Sequence, residues 1–221
     1  MIKALFFDID DTILDYDKCA VITLQNACQT LGVPFNDAVL AEYRRVDDAL
    51  WARQKLGQLT IPQVLEHRNA HMMAYFGLTD GISFQEAFIA AFANSAELTD
   101  GVEAALQLSN KRGLPIFSAS NGYYEVQVNR LTKAGVLHYF DRLFVSDAVG
   151  YEKPNPQFFA HCLEVTGFAP HEVLMIGDSI TADIKGALAA GWNVCYYNKH
   201  NKDSGLDCPQ IRSWTEFEEL L

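Results

Sequence analysis

A chain of 221 residues, 49% hydrophobic and 20% charged, can bury a sizeable core and suits one domain, or a core domain with a smaller insert. Its formal net charge of −11 excludes broad electrostatic binding to DNA or RNA, although a local site can still oppose that charge and hold a small anion. No run approaches the ~18 apolar residues that a membrane span needs, and no signal-peptide pattern is visible, so the expectation is a cytoplasmic protein without a membrane partner.

In chain order, Ile2, Ala4, Leu5, Phe6 and Phe7 make an apolar run that reads as a buried strand over residues 2–7. It ends in Asp8-Ile9-Asp10-Asp11-Thr12. Alternation along an extended chain points Asp8 and Asp10 the same way. Two like charges that close repel, so the arrangement is costly without a cation or a reaction that uses it. Helical periodicity follows. One stretch covers 17–31 and stops at Gly32. A second starts at Asn36, a good N-cap, and runs to Leu56. A third begins at Thr60, with Pro62 in its first turn, and ends before Gly77. A fourth opens with Ser83-Phe84-Gln85-Glu86, which has capping-box spacing. No convincing strand separates them, which predicts an inserted all-helical unit over 16–96.

After Asp100 the pattern alternates. Helices are predicted over 102–111, 124–134, 156–166 and 181–190, strands over 114–119, 142–146, 173–177 and 193–197, and a short helix from Ser213. This is an α/β fold: a Rossmann-like parallel sheet, covered by helices on both faces, built from 1–15 and 97–221. The cysteines Cys19, Cys28, Cys162, Cys195 and Cys208 lack C-x-x-C spacing and read as reduced, mostly buried thiols.

In an open parallel sheet, ligands bind outside the carboxyl ends of the strands. Those ends carry Asp8 and Asp10, Ser120 and Asn121, Asp147, and Asp178 with Ser179, so polar residues collect at one edge. Taken singly, several have ordinary explanations. Asp11 and Thr12 suit a turn or a cap, Ser120-Asn121-Gly122 a turn, Lys153 a solvated surface, and Asp183 the first turn of a helix. His67 and His71 lie one helical turn apart, but Arg68, Asn69 and Ala70 between them supply no glutamate, so a solvated or packing role is expected rather than zinc. The aromatic residues Tyr43, Trp51, Tyr75, Phe76, Phe84, Phe88 and Phe92 are mostly core candidates, and some could line a substrate pocket.

Four segments occur in order: Phe7-Asp8-Ile9-Asp10-Asp11-Thr12, Phe117-Ser118-Ala119-Ser120-Asn121-Gly122, Gly150-Tyr151-Glu152-Lys153-Pro154, and Ile176-Gly177-Asp178-Ser179-Ile180-Thr181-Ala182-Asp183. Their order, spacing and strand contexts resemble the four motifs of the haloacid dehalogenase superfamily, most of whose members are phosphatases. The insert resembles the helical cap of the subclass capped after the first strand, which closes over the site and selects the leaving group.

The resemblance implies a phosphomonoester hydrolase working through an aspartyl-phosphate. Asp8 would be the nucleophile, and Asp10 would protonate the leaving oxygen and then activate water. Mg²⁺ would be held by the Asp8 and Asp178 side chains and the Asp10 carbonyl, with Asp183 holding its waters. Ser120, Asn121 and Lys153 would bind phosphate, with Pro154 biasing Lys153 toward an extended conformation. Asp10 separates ester chemistry from the dehalogenases, which lack it because halide leaves without a proton. The detailed phrasing is most similar to bacterial pyrimidine 5'-nucleotidases. The implied substrate is a small phosphate monoester such as a nucleotide, acted on by a monomer or homodimer. A sugar-phosphate or phosphoglycolate phosphatase, a phosphomutase, and a non-catalytic binding protein on this scaffold are the alternatives.

Overall fold

Ala4-Leu5-Phe6-Phe7 forms strand β1 (Ala4–Phe7), and all four residues are fully buried, as a strand covered on both faces requires. A computed structural model describes residues 1–203 and 205–220 of the chain. The chain divides into two compact units. One is Met1–Tyr16 together with the residues from Ala96 onward, and the other is Asp17–Ser95.

The second unit is all-helical. Its elements are α1 (Tyr16–Leu31), α2 (Asp37–Lys55), α3 (Ile61–Phe76) and α4 (Phe84–Phe92). The starts are set by the expected caps. Asn36 Oδ1 accepts the Val39 N–H at 3.1 Å. Thr60 with Gln63, and Ser83 with Glu86, make reciprocal capping boxes, each satisfying two N–H groups that the helix leaves unpaired. Gly77 stops α3 in the left-handed region at φ 68°.

The core of this unit holds Tyr43, Phe84 and Phe88, with Tyr43 stacked on Phe88 at 5.2 Å between ring centroids. Arg68 is buried among them. It pairs with Asp47 at 2.8 Å, donates to Tyr43 Oη at 3.2 Å and lies 4.3 Å over the Phe88 ring. Trp51, Phe76 and Phe92 are half-buried, and Tyr75 is exposed, so the expectation of an aromatic core holds for only part of that set. His71 contacts Glu42 at 2.6 Å rather than His67.

The first unit carries a six-stranded parallel sheet in the order β3-β2-β1-β4-β5-β6. Its strands are β1, β2 (Ile116–Ser120), β3 (Arg142–Val145), β4 (Val173–Gly177), β5 (Asn193–Tyr197) and β6 (Gln210–Ile211). Its helices are α5 (Val102–Lys111), α6 (Tyr124–Lys133), α7 (Ser146–Val149), α8 (Pro156–Thr166) and α9 (Gly186–Ala189). Alternation splits the core in two. Leu5 and Phe7 join Leu174, Ile176 and the α5 residues Val102, Ala105 and Leu106, with Trp214 and Phe217. Ala4 and Phe6 join Phe117, Phe144, Met175, Phe158, Phe159 and Trp192 on the other face. Phe6 lies 4.6 Å from Trp192 and 4.9 Å from Phe117 between centroids.

The departures from expectation are local: the strand expected over 114–119 is Ile116–Ser120, the short helix expected from Ser213 is a 3-10 helix at Trp214–Leu220, and three others follow. β6 pairs in parallel through Gln210 and Ile211 alone, too short a run for periodicity to reveal. The predicted strand over 142–146 ends at Val145, where α7 begins. The predicted helix over 181–190 is instead a π-helix at Ile180–Lys185 followed by α9. The wider turn accompanies Asp183 folding back onto Ser179, and such turns occur at functional sites. Among the described residues, no helix is long and apolar enough to cross a membrane.

Candidate active site

β1 is the sheet's pivot, with β2 on one side and β4 on the other. The residues just past these three strands are therefore neighbours, whatever their separation in sequence. Asp8 continues the ladder by donating its N–H to the Ile176 carbonyl at 2.9 Å. Its carboxylate accepts from Lys153 Nζ at 2.8 Å, and the same ammonium donates to Asp183 Oδ1 at 2.5 Å and to the Ala119 carbonyl. Three acceptors satisfy the three donors of a buried lysine.

Burial alone would lower the affinity of Lys153 for its proton, but Asp183 and Asp8 more than reverse this, so its pKa is raised and it stays a cation. Burial pushes the Asp8 carboxyl well above the ordinary aspartate range, and Asp183 and Asp178 push it the same way, against Lys153. One oxygen from each of Asp8, Asp178 and Asp183 lies within 4.8 Å of the others. A hard, all-oxygen, carboxylate-rich set with this excess of negative charge fits a divalent cation such as Mg²⁺.

Asp183 reaches this cluster because Gly177 has no side chain. A Cβ on Gly177 would stand 2.3 Å from Asp183 Oδ2. That oxygen accepts the Ser179 N–H at 2.9 Å, and Ser179 Oγ in turn accepts the Ala182 N–H at 3.2 Å. Both Asp183 oxygens are therefore already engaged, one by Lys153 and one by the backbone.

Asn121 joins two loops. Its Oδ1 accepts the Lys153 N–H at 2.8 Å, and its Nδ2 donates to the Lys153 carbonyl at 2.9 Å. Both ends of the amide hold the Lys153 backbone, so the side chain ties two loops together. Ser120 is buried at the end of β2, and its hydroxyl accepts from Gln127 Nε2 at 3.2 Å. Tyr124 N–H donates to Asp147 at 2.9 Å, which gives that strand-end acid a role at the start of α6.

Asp10 and Asp8 have different cations. Arg130 Nη1 donates to Asp10 Oδ1 at 2.6 Å, and Gln127 Nε2 donates to Asp10 Oδ2 at 2.9 Å. The repulsion read from the sequence is thus relieved by Lys153 at one aspartate and by Arg130 at the other. Around Asp10 the chain turns sharply: Ile13 and Leu14 both donate to the Ile9 carbonyl, and Asp11 sits at φ 60°. That conformation suits glycine, and an aspartate tolerates it better than most residues. Asp11 is further held by its contacts to Tyr16 N and Lys199 Nζ.

Sequence reasoning missed Arg130 and Gln127. The signal was an arginine sharing a helix face with buried Gln127 and Leu131, a placement that costs energy without a buried partner.

Residues 2–191 match the family of haloacid dehalogenase-like hydrolases, and the chain belongs to that family. It is 31% identical to the pyrimidine 5'-nucleotidase YjjG of Escherichia coli over 98% of this chain and 96% of that protein. It is 28% identical to the pyrimidine 5'-nucleotidase PynA of Streptococcus pneumoniae over 99% of this chain and 93% of that protein. The crystal structure of the magnesium-bound HAD-hydrolase YfnB of Bacillus subtilis matches the fold with a TM-score of 0.90, at 28% identity, covering 99% of this chain and 98% of that one. The protein is a hydrolase with named phosphatases among its relatives.

Proposed function

We propose that the protein is a Mg²⁺-dependent phosphomonoesterase acting on nucleoside 5'-monophosphates, with Asp8 as its nucleophile. The observation that carries this reading is the division of charge at the strand ends. Asp8 lies buried on Lys153 beside Asp178 and Asp183, while Asp10 is held apart by Arg130 and Gln127.

In this reading an Asp8 oxygen attacks phosphorus as the ester P–O bond breaks, and Asp10 gives its proton to the departing alkoxide. Asp10 then takes a proton from water, whose oxygen attacks phosphorus and releases phosphate and the Asp8 carboxylate. Lys153 and the Ser120 hydroxyl hold phosphate oxygens as their charge shifts. Asp8, Asp178 and the Asp10 carbonyl would hold Mg²⁺, with Asp183 holding its waters, and the ion would neutralise phosphate charge.

The nucleotide preference rests on the two related pyrimidine 5'-nucleotidases and on Tyr123, Tyr124 and Tyr151. These three tyrosines are exposed on or beside the loops that Asn121 ties together, and a base can stack on them.

Nucleoside monophosphates assayed beside sugar phosphates and phosphoglycolate, with and without Mg²⁺, test the reading. It expects Mg²⁺-dependent release of phosphate, fastest from pyrimidine nucleotides. Equal turnover by Asp8→Asn and the unaltered protein would sink the nucleophile assignment.

A further inference from the structure

Arg130 and Gln127 stand three residues apart on α6, fully buried or nearly so. Beyond their bonds to Asp10, Arg130 Nη1 donates to Gln127 Oε1 at 3.1 Å, and Gln127 Nε2 reaches Ser120 Oγ at 3.2 Å. One helix face thereby joins the carboxylate that follows Asp8 to the hydroxyl that ends β2. A buried guanidinium is costly to place unless a charge partner faces it. Its partner here is Asp10, whose side chain is 29% exposed and so remains open to a reactant.

We propose that Arg130 and Gln127 are positioning residues that aim the carboxyl group of Asp10, and that Gln127 links that aim to the phosphate-binding hydroxyl of Ser120. The inference rests on the phosphomonoesterase reading above. Arg130 holds Oδ1 and with it the plane of the carboxyl group. Oδ2 is the oxygen that faces a replaceable neighbour, because the Gln127 amide that contacts it also bonds Ser120. In the step itself the Asp8–phosphorus bond forms, the ester P–O bond breaks, and the proton passes from Asp10 to the alkoxide. Mis-aiming Asp10 therefore harms esters in proportion to how much their leaving oxygen needs that proton.

The test compares kcat/KM, which reports the steps up to departure of the leaving group, for two esters. One is p-nitrophenyl phosphate, whose phenolate leaves without a proton. The other is the best alkyl phosphate found in the substrate panel. Gln127→Leu and Arg130→Lys are expected to lose at least tenfold more kcat/KM on the alkyl ester than on the aryl ester, with Arg130→Lys the milder because it keeps a cation. Thermal melting checks folding, and if Arg130→Lys does not fold, Gln127→Leu decides alone. Equal losses on both esters would overturn the inference and leave the phosphatase reading standing. An unaltered protein inactive on both esters would overturn the two together.

Discussion

Asp183 occupies the space that a side chain on Gly177 would fill, 2.3 Å from where its Cβ would stand. The glycine at the end of β4 is therefore a condition for the carboxylate to meet Lys153 at 2.5 Å. Gly177→Ala is expected to drive Asp183 out, costing about 1–3 kcal/mol as overpacking does, together with most of the phosphatase activity. Chemical denaturation and a phosphate-release assay measure the two losses, and an alanine variant with unchanged activity would contradict this.

The two hydrogen bonds between the Asn121 amide and the Lys153 backbone predict a second effect. Asn121→Ala removes both bonds and leaves backbone groups of a buried lysine less satisfied, a loss of about 1–3 kcal/mol. Activity is expected to fall with stability, because the ammonium of Lys153 is aimed by the loop that Asn121 holds. Asn121→Asp keeps the acceptor and loses the donor, so it should recover only part of both.

Three clustered carboxylates, two of them paired with one buried ammonium, leave an excess of negative charge that a divalent cation relieves. Adding Mg²⁺ to the metal-stripped protein is expected to raise the melting temperature, with stabilisation of about 2.7 kcal/mol at a concentration one hundred times its dissociation constant. Chelation should reverse the gain. Asp178→Asn, which removes one charge, should shrink it, as followed by thermal melting at fixed ionic strength.

In the helical unit, hydrogen bonds from Arg45 and His71 hold the Glu42 carboxyl down to about 2, below its ordinary 4.5. A depressed folded-state pKa contributes stability above the unfolded value and loses it as pH falls through the folded one. The contribution of Glu42 should therefore be intact at pH 6 and fade between about 4.5 and about 2. Because the pair is exposed, the effect is small. The melting-temperature gap between the unaltered protein and Glu42→Gln is expected to close over that range, and a constant gap would refute the assignment.

The elements legible in the sequence were those written by local rules. β1 is an uninterrupted apolar tetrad, α3 and α4 begin at capping boxes, and α8 spans its expected Pro156–Thr166. Asp8, Lys153 and Asp183 fall together as the strand order requires, with Lys153 bridging the two aspartates. What could not be read was pairing between distant side chains. Nothing local marks Gln127 and Arg130 as the partners of Asp10, more than a hundred residues earlier, or Asn121 as the partner of Lys153. The π-helix at Ile180–Lys185 escaped for the same reason, since its apolar spacing also suits an ordinary helix while its winding accompanies Asp183 turning back.

The central place of β1 sets a problem in time. It is made first, yet its neighbours β2 and β4 begin at Ile116 and Val173. At about 5–20 residues per second of synthesis, roughly ten to thirty seconds separate Phe7 from its partner Ile176. Ala4-Leu5-Phe6-Phe7, a fully apolar strand, has no partner until β2 is made and only that one until β4 follows. The helices encoded between Asp17 and Ser95 make their contacts within one stretch of chain and need none of the later strands. The segment that forms the helical unit is therefore fully synthesised well before β1 gains its second neighbour, β4.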